Sequence, residues 1–189
     1  MQSNKGFEFS NQLGEYALQI KAGRIDLFSE LFKVGSSYSF YTARKYVDND
    51  HDAKDIVQDA YIKIIENFDS LQDPRRYLGW MKRIIINLAL NFNKKVKPDL
   101  YLNQFESEEA FFDTNKIGND TEREAAYLVD GSRETLHYLL NSLPYKHKEV
   151  LLLFYMEGMN ITEIAKMLDI SEGTVKSRLY HARITAKRL

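Results

Sequence analysis

The chain contains no cysteine among its 189 residues, which excludes disulfides and thiolate metal sites. It also lacks a long apolar run. The longest, Ile84 to Leu90 and Val150 to Met156, fall far short of the ~20 residues that a membrane span needs. The opening stretch, MQSNKGFEFSNQLGEY, has neither a basic n-region nor an apolar h-region, so no signal peptide and no membrane insertion are expected. A soluble, cytoplasmic protein is the expectation. No P-loop, nucleophile elbow or paired-histidine motif is present, which argues against an enzyme and leaves no cofactor to expect. There are no internal repeats or low-complexity tracts, and only 3 prolines.

What is present is a globular composition, 44% hydrophobic and 28% charged, in a length that suits one ordinary domain or two small ones. The net charge of -1 conceals a strong segregation. Pro74 to Pro98 holds Arg75, Arg76, Lys82, Arg83, Lys94, Lys95 and Lys97 with no acid, and Thr174 to Leu189 holds Lys176, Arg178, Arg183, Lys187 and Arg188, again with none. Between them, Asp99 to Glu134 carries ten acids against Lys116, Arg123 and Arg133, and Asp48 to Asp69 carries seven against Lys54 and Lys63. Two basic segments set apart by acidic ones suggest two polyanion contacts on a chain that does not coat nucleic acid indiscriminately. On charge alone, solvated helix faces explain the pattern equally well.

Helical periodicity runs from about Glu15 to Lys95 and again from Ser132 to the end, while alternating apolar patterns are few. The expected fold is all-α, in two small helical domains: an N-terminal extension over 1–15, a first domain over 16–97, an acidic linker over 98–131, and a second domain over 132–189. A linker of about 33 residues spans at most ~110 Å when extended.

In the second domain, the apolar set Val150, Leu151, Leu153, Phe154 and Met156 predicts a helix after Leu143-Pro144, with Gly158 at its C-terminal cap. Asn160 followed by Glu163 is the signature of a capping box, and the short helix it opens offers Ile161, Ile164, Ala165 and Leu168 to a core. Asp169-Ile170 makes the turn and Ser171 caps a third helix. Two such helices across a turn of three or four residues form a helix-turn-helix, whose second helix typically enters the major groove. There, Val175, Leu179, Ala182 and Ala186 are expected inward, and Lys176, Ser177, Tyr180, His181 and Ile184 outward. Cations, hydroxyls and an aromatic on an exposed face suit phosphates and base edges. A helical hairpin used for protein contacts is the plainer alternative.

In the first domain, a helix from Asp52 to Phe68 is expected to bury Val57, Ala60, Tyr61, Ile64, Ile65 and Phe68, leaving Asp55, Gln58, Asp59, Ile62 and Glu66 outside. An isoleucine within an acidic and amide stripe suits a partner interface. A metal site on Asp48, Asp50, His51, Asp52 and Asp55 is a competing explanation, but acids at a helix start are already favoured as caps and dipole partners. Asp73-Pro74 opens a further helix. Leu78, Met81, Ile84, Ile85, Leu88 and Phe92 are its expected core face. Arg76, Trp80, Arg83, Asn87, Asn91 and Lys94 form a second stripe able to meet phosphates and bases, although Trp80 by itself fits a core position at least as well.

The string SLPYKHKEVLLLFYMEGMNITEIAKMLDISEGTVKSRLYHAR resembles domain four of the extracytoplasmic-function sigma factors, a group of the sigma-70 family. LuxR-type response regulators share part of it, but Ser177-Arg178-Leu179 and the absence of an alternating βα pattern upstream favour the sigma resemblance. The strings YTARKYVDNDHDAKDIVQDAYIKIIENF and DPRRYLGWMKRIIINLAL resemble sigma domain two. The resemblance implies an alternative sigma factor whose partners are core RNA polymerase, through the clamp helices of its largest subunit and its flap, together with promoter DNA and an anti-sigma factor. It places Asp55, Ile56, Gln58, Asp59 and Ile62 on the clamp helices. The loop Phe68 to Arg76 falls where a flipped base of the minus-ten element is pocketed, and Arg83 and Asn87 fall on the following helix that faces that element. Arg76, Trp80 and Lys94, on the same stripe by spacing, are expected to join them in minus-ten binding. Lys176, Ser177, Arg178, Tyr180 and His181 fall on the minus-thirty-five element, where His181 departs from the arginine often found. In that family the linker threads the polymerase toward its active site. Two other classes stay open at this point: an autonomous helix-turn-helix regulator binding a palindrome as a dimer, and a metal-dependent DNA-processing enzyme built on the Asp48 to Asp59 cluster.

Overall fold

A computed structural model describes residues 2–98, 140 and 142–187. The acidic segment read as a linker, from 99 onward, and the helix expected to start at Ser132 lie outside them. All the regular structure among the described residues is helical, and no helix there is long and apolar enough to cross a membrane. The chain divides into two compact units, Met1–Val96 and Lys97–Leu189.

The first unit packs four helices, α1 (Gln2–Lys21), α2 (Phe28–Arg44), α3 (Asp50–Glu66) and α4 (Tyr77–Val96), with short 3-10 turns at Ile25–Leu27, Phe68–Ser70 and Pro74–Arg76. Residues 2–14, expected to precede the helical region, continue into α1, which buries Leu13, Ala17 and Ile20. On α2 Leu31 is buried, and beyond it the inward face is small, with Gly35, Ser39, Thr42 and Ala43 buried, so Met81 of α4 fits against it. A Cβ at Gly35 would lie 3.8 Å from the Met81 sulfur, and Ser39 Oγ is 3.6 Å from the same atom. Ala53, Ile56, Ala60 and Ile64 of α3 meet Tyr77, Met81, Ile85, Ile86, Ala89 and Leu90 of α4 in the shared core. Asn49 caps α3 by accepting from the Asp52 amide at 2.9 Å. Arg44 secures the turn before it, donating to the Val47 carbonyl and to Asp50. Buried Asn93 donates to the Tyr46 carbonyl at 2.8 Å, tying the end of α4 to that same turn.

The buried seam of α3 is rotated from the expected one. Ile56 is only 2% exposed and Ile65 is 51% exposed, while Val57 and Tyr61 sit half-buried at the edge. The cause is the i, i+3, i+7, i+11 row from Ala53 to Ile64, whose two alanines admit the neighbouring helices closely and carry Ile56 inward between them. On α4, Leu78, Ile84, Leu88 and Phe92 are half-buried rather than central.

In the second unit α5 (Tyr145–Leu151) runs into a π-helical turn, Leu152–Met156, followed by α6 (Ile161–Leu168) and α7 (Glu172–Lys187). Leu143, Val150, Leu151, Leu152, Leu153, Ile164, Ala165, Leu168, Val175, Leu179 and Ala182 are buried. Gly158 takes the left-handed conformation (φ 67°), and the Met159 amide bonds back to the Leu153 carbonyl, closing the helix end. The capping box forms in both directions. Asn160 accepts from the Glu163 amide and Glu163 accepts from the Asn160 amide, each at 2.9 Å. Asp169 is left-handed (φ 58°), and Ser171 caps α7 by accepting from the Thr174 amide at 3.0 Å. This is a helix-turn-helix. Phe154 is half-buried and Met156 exposed, unlike the expected apolar face, because the π turn holds an extra residue and shifts the face at this point.

Candidate nucleic-acid and partner interfaces

On α3, Asp55, Gln58, Asp59, Ile62 and Glu66 form one exposed stripe. Ile62 is 55% exposed and Ile65 stands beside it, so the stripe carries two solvent-facing isoleucines among acids and an amide. Ile56 does not belong to it. That side chain lies in the core seam, which corrects its assignment to the exposed contact. The acids at the head of α3 are engaged locally: Asp50 accepts from Arg44 at 2.8 Å, Asp52 accepts from Asn49 Nδ2 at 2.8 Å, and Asp55 lies 3.7 Å from His51 Nε2.

A second surface is made by the connection from α3 to α4. Phe68 and Leu71 are buried, and Asp69, Ser70, Gln72 and Asp73 stand exposed around them. Ser70 donates through both its amide and its hydroxyl to the Asn67 carbonyl, and Asp73 caps the 3-10 turn by accepting from the Arg75 amide. Arg76 Nε lies 3.7 Å from the Asp73 carboxylate, with its side chain largely in solvent just before α4. Arg83, Asn87 and Asn91 are exposed along α4, and Lys94 is half-buried. Trp80 is half-buried, its ring edge-on to Phe68 at 6.2 Å and tilted against Tyr77. It combines the core and surface alternatives: one side packs and the rest is accessible. Phe68 also meets Phe28 edge-on at 5.0 Å, and Phe32 stacks on Tyr61 at 4.1 Å, so the connection borders a half-buried aromatic layer.

Two residues that sequence reasoning missed also reach this connection. Lys21 donates from Nζ to the Asp69 carbonyl at 2.9 Å, and Gly14 lies so close to the Pro74–Arg76 turn that a Cβ there would be 3.3 Å from Arg75 Cα. Nothing in the local pattern links positions 48 residues apart.

On α7, Tyr180 is exposed, and Lys176, His181 and Ile184 are half-buried. The His181 ring stacks on His147 of α5 at 5.8 Å and meets Tyr180 edge-on. Ser177, expected outward, and Arg178, which the resemblance puts on the minus-thirty-five element, are not on the open surface: Ser177 is 5% exposed and Arg178 8%. Arg178 lies one turn from both Val175 and Ala182, on the side of the buried seam. Ser177 carries a short side chain that does not reach past its neighbours one turn away, Tyr180 and His181. Its hydroxyl has no hydrogen-bond partner among the described residues. The stripe left for contact is Lys176, Tyr180 and His181.

Comparison with known proteins places both units. The family model described as Sigma-70 region 2 matches residues 39–97, and that described as Sigma-70, region 4 matches residues 133–185. The chain is 29% identical over 167 residues to the ECF RNA polymerase sigma factor SigW of Bacillus subtilis, covering 87% of this chain and 89% of that protein. It is 28% identical over 135 residues to the ECF RNA polymerase sigma-E factor of Escherichia coli, covering 70% of each. Among solved structures, the sigma factor RpoE in a co-crystal with the anti-sigma factor NepR from Bartonella quintana shares the fold, with a TM-score of 0.52 and 19% identity over 85% of this chain and 94% of that one.

Proposed function

The chain belongs to the sigma-70 family, carrying the family's regions 2 and 4 in order, and on that basis we propose that it is an alternative sigma factor of the extracytoplasmic-function group. It binds core RNA polymerase and directs it to promoters in the cytoplasm, without catalysing a reaction itself. The observation that carries this reading is the order of the two regions along one chain, over most of which relatives named as sigma factors align.

The residues take the following roles. Asp55, Gln58, Asp59 and Ile62 meet the clamp helices of the polymerase's largest subunit, where apolar area and charge complementarity act together. The Phe68–Arg76 connection receives a flipped base of the minus-ten element, and Arg76, Trp80, Arg83, Asn87 and Lys94 line the melted strand. An extruded base bound there offsets an unstacking cost of a few kcal/mol, so recognition favours melting. Lys176, Tyr180 and His181 meet the minus-thirty-five element in the major groove, and the second unit also docks on the flap. Each DNA surface has few cations, so each binds weakly and with steep salt dependence. Core polymerase fixes their separation and makes the second contact intramolecular. An anti-sigma factor is the expected regulator.

Run-off transcription on fragments of the source genome, with core polymerase alone and with this chain added, tests the proposal. New discrete transcripts that require the chain are expected. Tight dimeric binding to a palindrome without polymerase, and no such transcripts, would instead identify an autonomous regulator.

A further inference from the structure

We propose that α1 is a brace for the minus-ten connection, with Lys21 as its positioning residue. The proposal rests on the reading of Phe68–Arg76 as the pocket for an extruded base.

The hydrogen bonds that the connection makes within itself are all short-range. Ser70 bonds back to Asn67, Leu71 to Phe68, the Arg75 amide to Asp73 and the Arg76 amide to the Asp73 carbonyl. These fix two tight turns, one at the entrance and one at the exit, but none of them spans the two. Phe68 and Leu71 anchor the entrance turn in the core, while Gln72 and Asp73 between the turns are exposed. The width of any pocket between the turns therefore depends on what holds them at a fixed separation.

That link is α1. Lys21, in its last turn, donates to the Asp69 carbonyl at 2.9 Å, lies 3.9 Å from the Asp69 carboxylate, and sits over the Phe68 ring at 5.7 Å. Gly14, two turns earlier and buried, lies against the exit turn, near the Pro74 carbonyl and Arg75 Cα. Seven residues of helix separate the two contacts by about 10.5 Å along a stiff axis. One rigid element thus touches both ends of the connection and braces their spacing, beside the Phe68 packing on Tyr77 and Trp80. A charge-assisted bond to a carbonyl is stronger than a neutral one, and the cation–π contact adds to it. The Lys21 side chain is 26% exposed while that of Asp69 stands fully in solvent, so the Asp69 carbonyl and the Phe68 ring carry the contact rather than the carboxylate.

The test uses holoenzyme assembled from core polymerase and the full chain. The probe is a short single-stranded DNA oligonucleotide carrying the minus-ten strand of a promoter found by run-off transcription, together with versions bearing each other base at the extruded position. Lys21→Met is expected to bind the cognate strand about fivefold more weakly, the loss of one charge-assisted hydrogen bond at a partly exposed site. It should also narrow the preference among the four bases, with core binding unchanged. Lys21→Arg should restore both, because a guanidinium also reaches a carbonyl. The salt slope of strand binding should be that of the wild type. A slope reduced by about one would mean that Lys21 neutralises a phosphate directly, and would overturn the brace. Gln72→Ala, in the connection itself, separates the remaining outcomes. If Gln72→Ala weakens strand binding and Lys21→Met does not, the brace is wrong and the pocket stands. If neither variant changes strand binding or base preference, the pocket assignment fails and the brace with it.

Discussion

Arg183 of α7 donates from Nε to the Tyr155 hydroxyl over 2.9 Å, and its guanidinium lies 5.7 Å from the centre of that ring and 6.0 Å from that of Phe154. The contact joins the helix proposed to read the minus-thirty-five element to the π turn that precedes the helix-turn-helix. Tyr155→Phe keeps the ring and removes the acceptor, so it should lower the stability of the second unit by about 1 kcal/mol. Arg183→Ala loses the packed stem as well and should cost more, about 2 kcal/mol. Urea unfolding followed by a probe within this unit measures both, and equal midpoints for Tyr155→Phe and wild type would show that the hydrogen bond is not made in solution.

The exposed stripe on α3 gives the most direct test of polymerase binding. Asp59→Lys should weaken association with core polymerase by about 1 kcal/mol or more, while the melting temperature of the free chain stays the same because the side chain is exposed. Titration of labelled chain with core polymerase reads the affinity, and an unchanged dissociation constant removes Asp59 from the interface.

The capping box at the head of α6 should be measurable on its own. Asn160→Ala loses the bond to the Glu163 amide and is expected to destabilise the second unit by about 1 kcal/mol, whereas Asn160→Asp keeps an acceptor and should stay close to wild type. Thermal melts by circular dichroism compare the two, and identical losses would mean that the cap bond is not the cause.

Tyr77 predicts an alkaline limit to stability. It is fully buried, and its hydroxyl has no hydrogen-bond partner among the described residues. Burial pushes its phenol well above the ordinary value of 10.0, with repulsion from Tyr61 adding to the shift. Tyr61 is itself raised by its own burial, and its hydroxyl donates to the Phe32 carbonyl at 3.2 Å. Above about pH 10 the unfolded chain releases these protons and the folded one retains them, so stability falls as pH rises through that range and is flat below about pH 9. Tyr77→Phe should flatten the alkaline fall and, by removing an unsatisfied hydroxyl, raise stability at neutral pH by about 1 kcal/mol. Denaturant midpoints at pH 7 and above 10 check both, and a steeper alkaline fall in the Phe variant would contradict the assignment.

The caps and turns were the most legible parts of the sequence. Asn160 with Glu163, Ser171, Gly158 and Asp73 each act through neighbours within a few positions, so their chemistry is written locally. The exposed stripe of α3 was legible for the same reason. Facing was harder to read. Ile56 and Ile65 exchange their expected places because a row of alanines, not the larger side chains, decides which side of α3 enters the core. Ser177 is expected outward from its spacing against Val175 and Leu179, yet it is buried, and Arg178 lies on the side of the buried seam, because packing against neighbouring elements decides exposure at the edge of a helix face. Lys21, Gly14 and the Tyr155–Arg183 pair were invisible because each depends on elements brought together only by folding.

The π turn at Leu152–Met156 has a consequence for chain length. It holds one residue more than the α-helical path would use, which makes it the natural place in the second unit for a one-residue deletion. Removing a residue there would return the helix to the α form while leaving the flanking residues close to their present facing, because the wider turn takes up the surplus residue itself. Val150 and Leu151 on one side, and Tyr155 on the other, would then still face the core and Arg183 together. The same deletion within α7 would rotate one part of the helix against the other by about 100° and turn Leu179 or Ala182 out of the core.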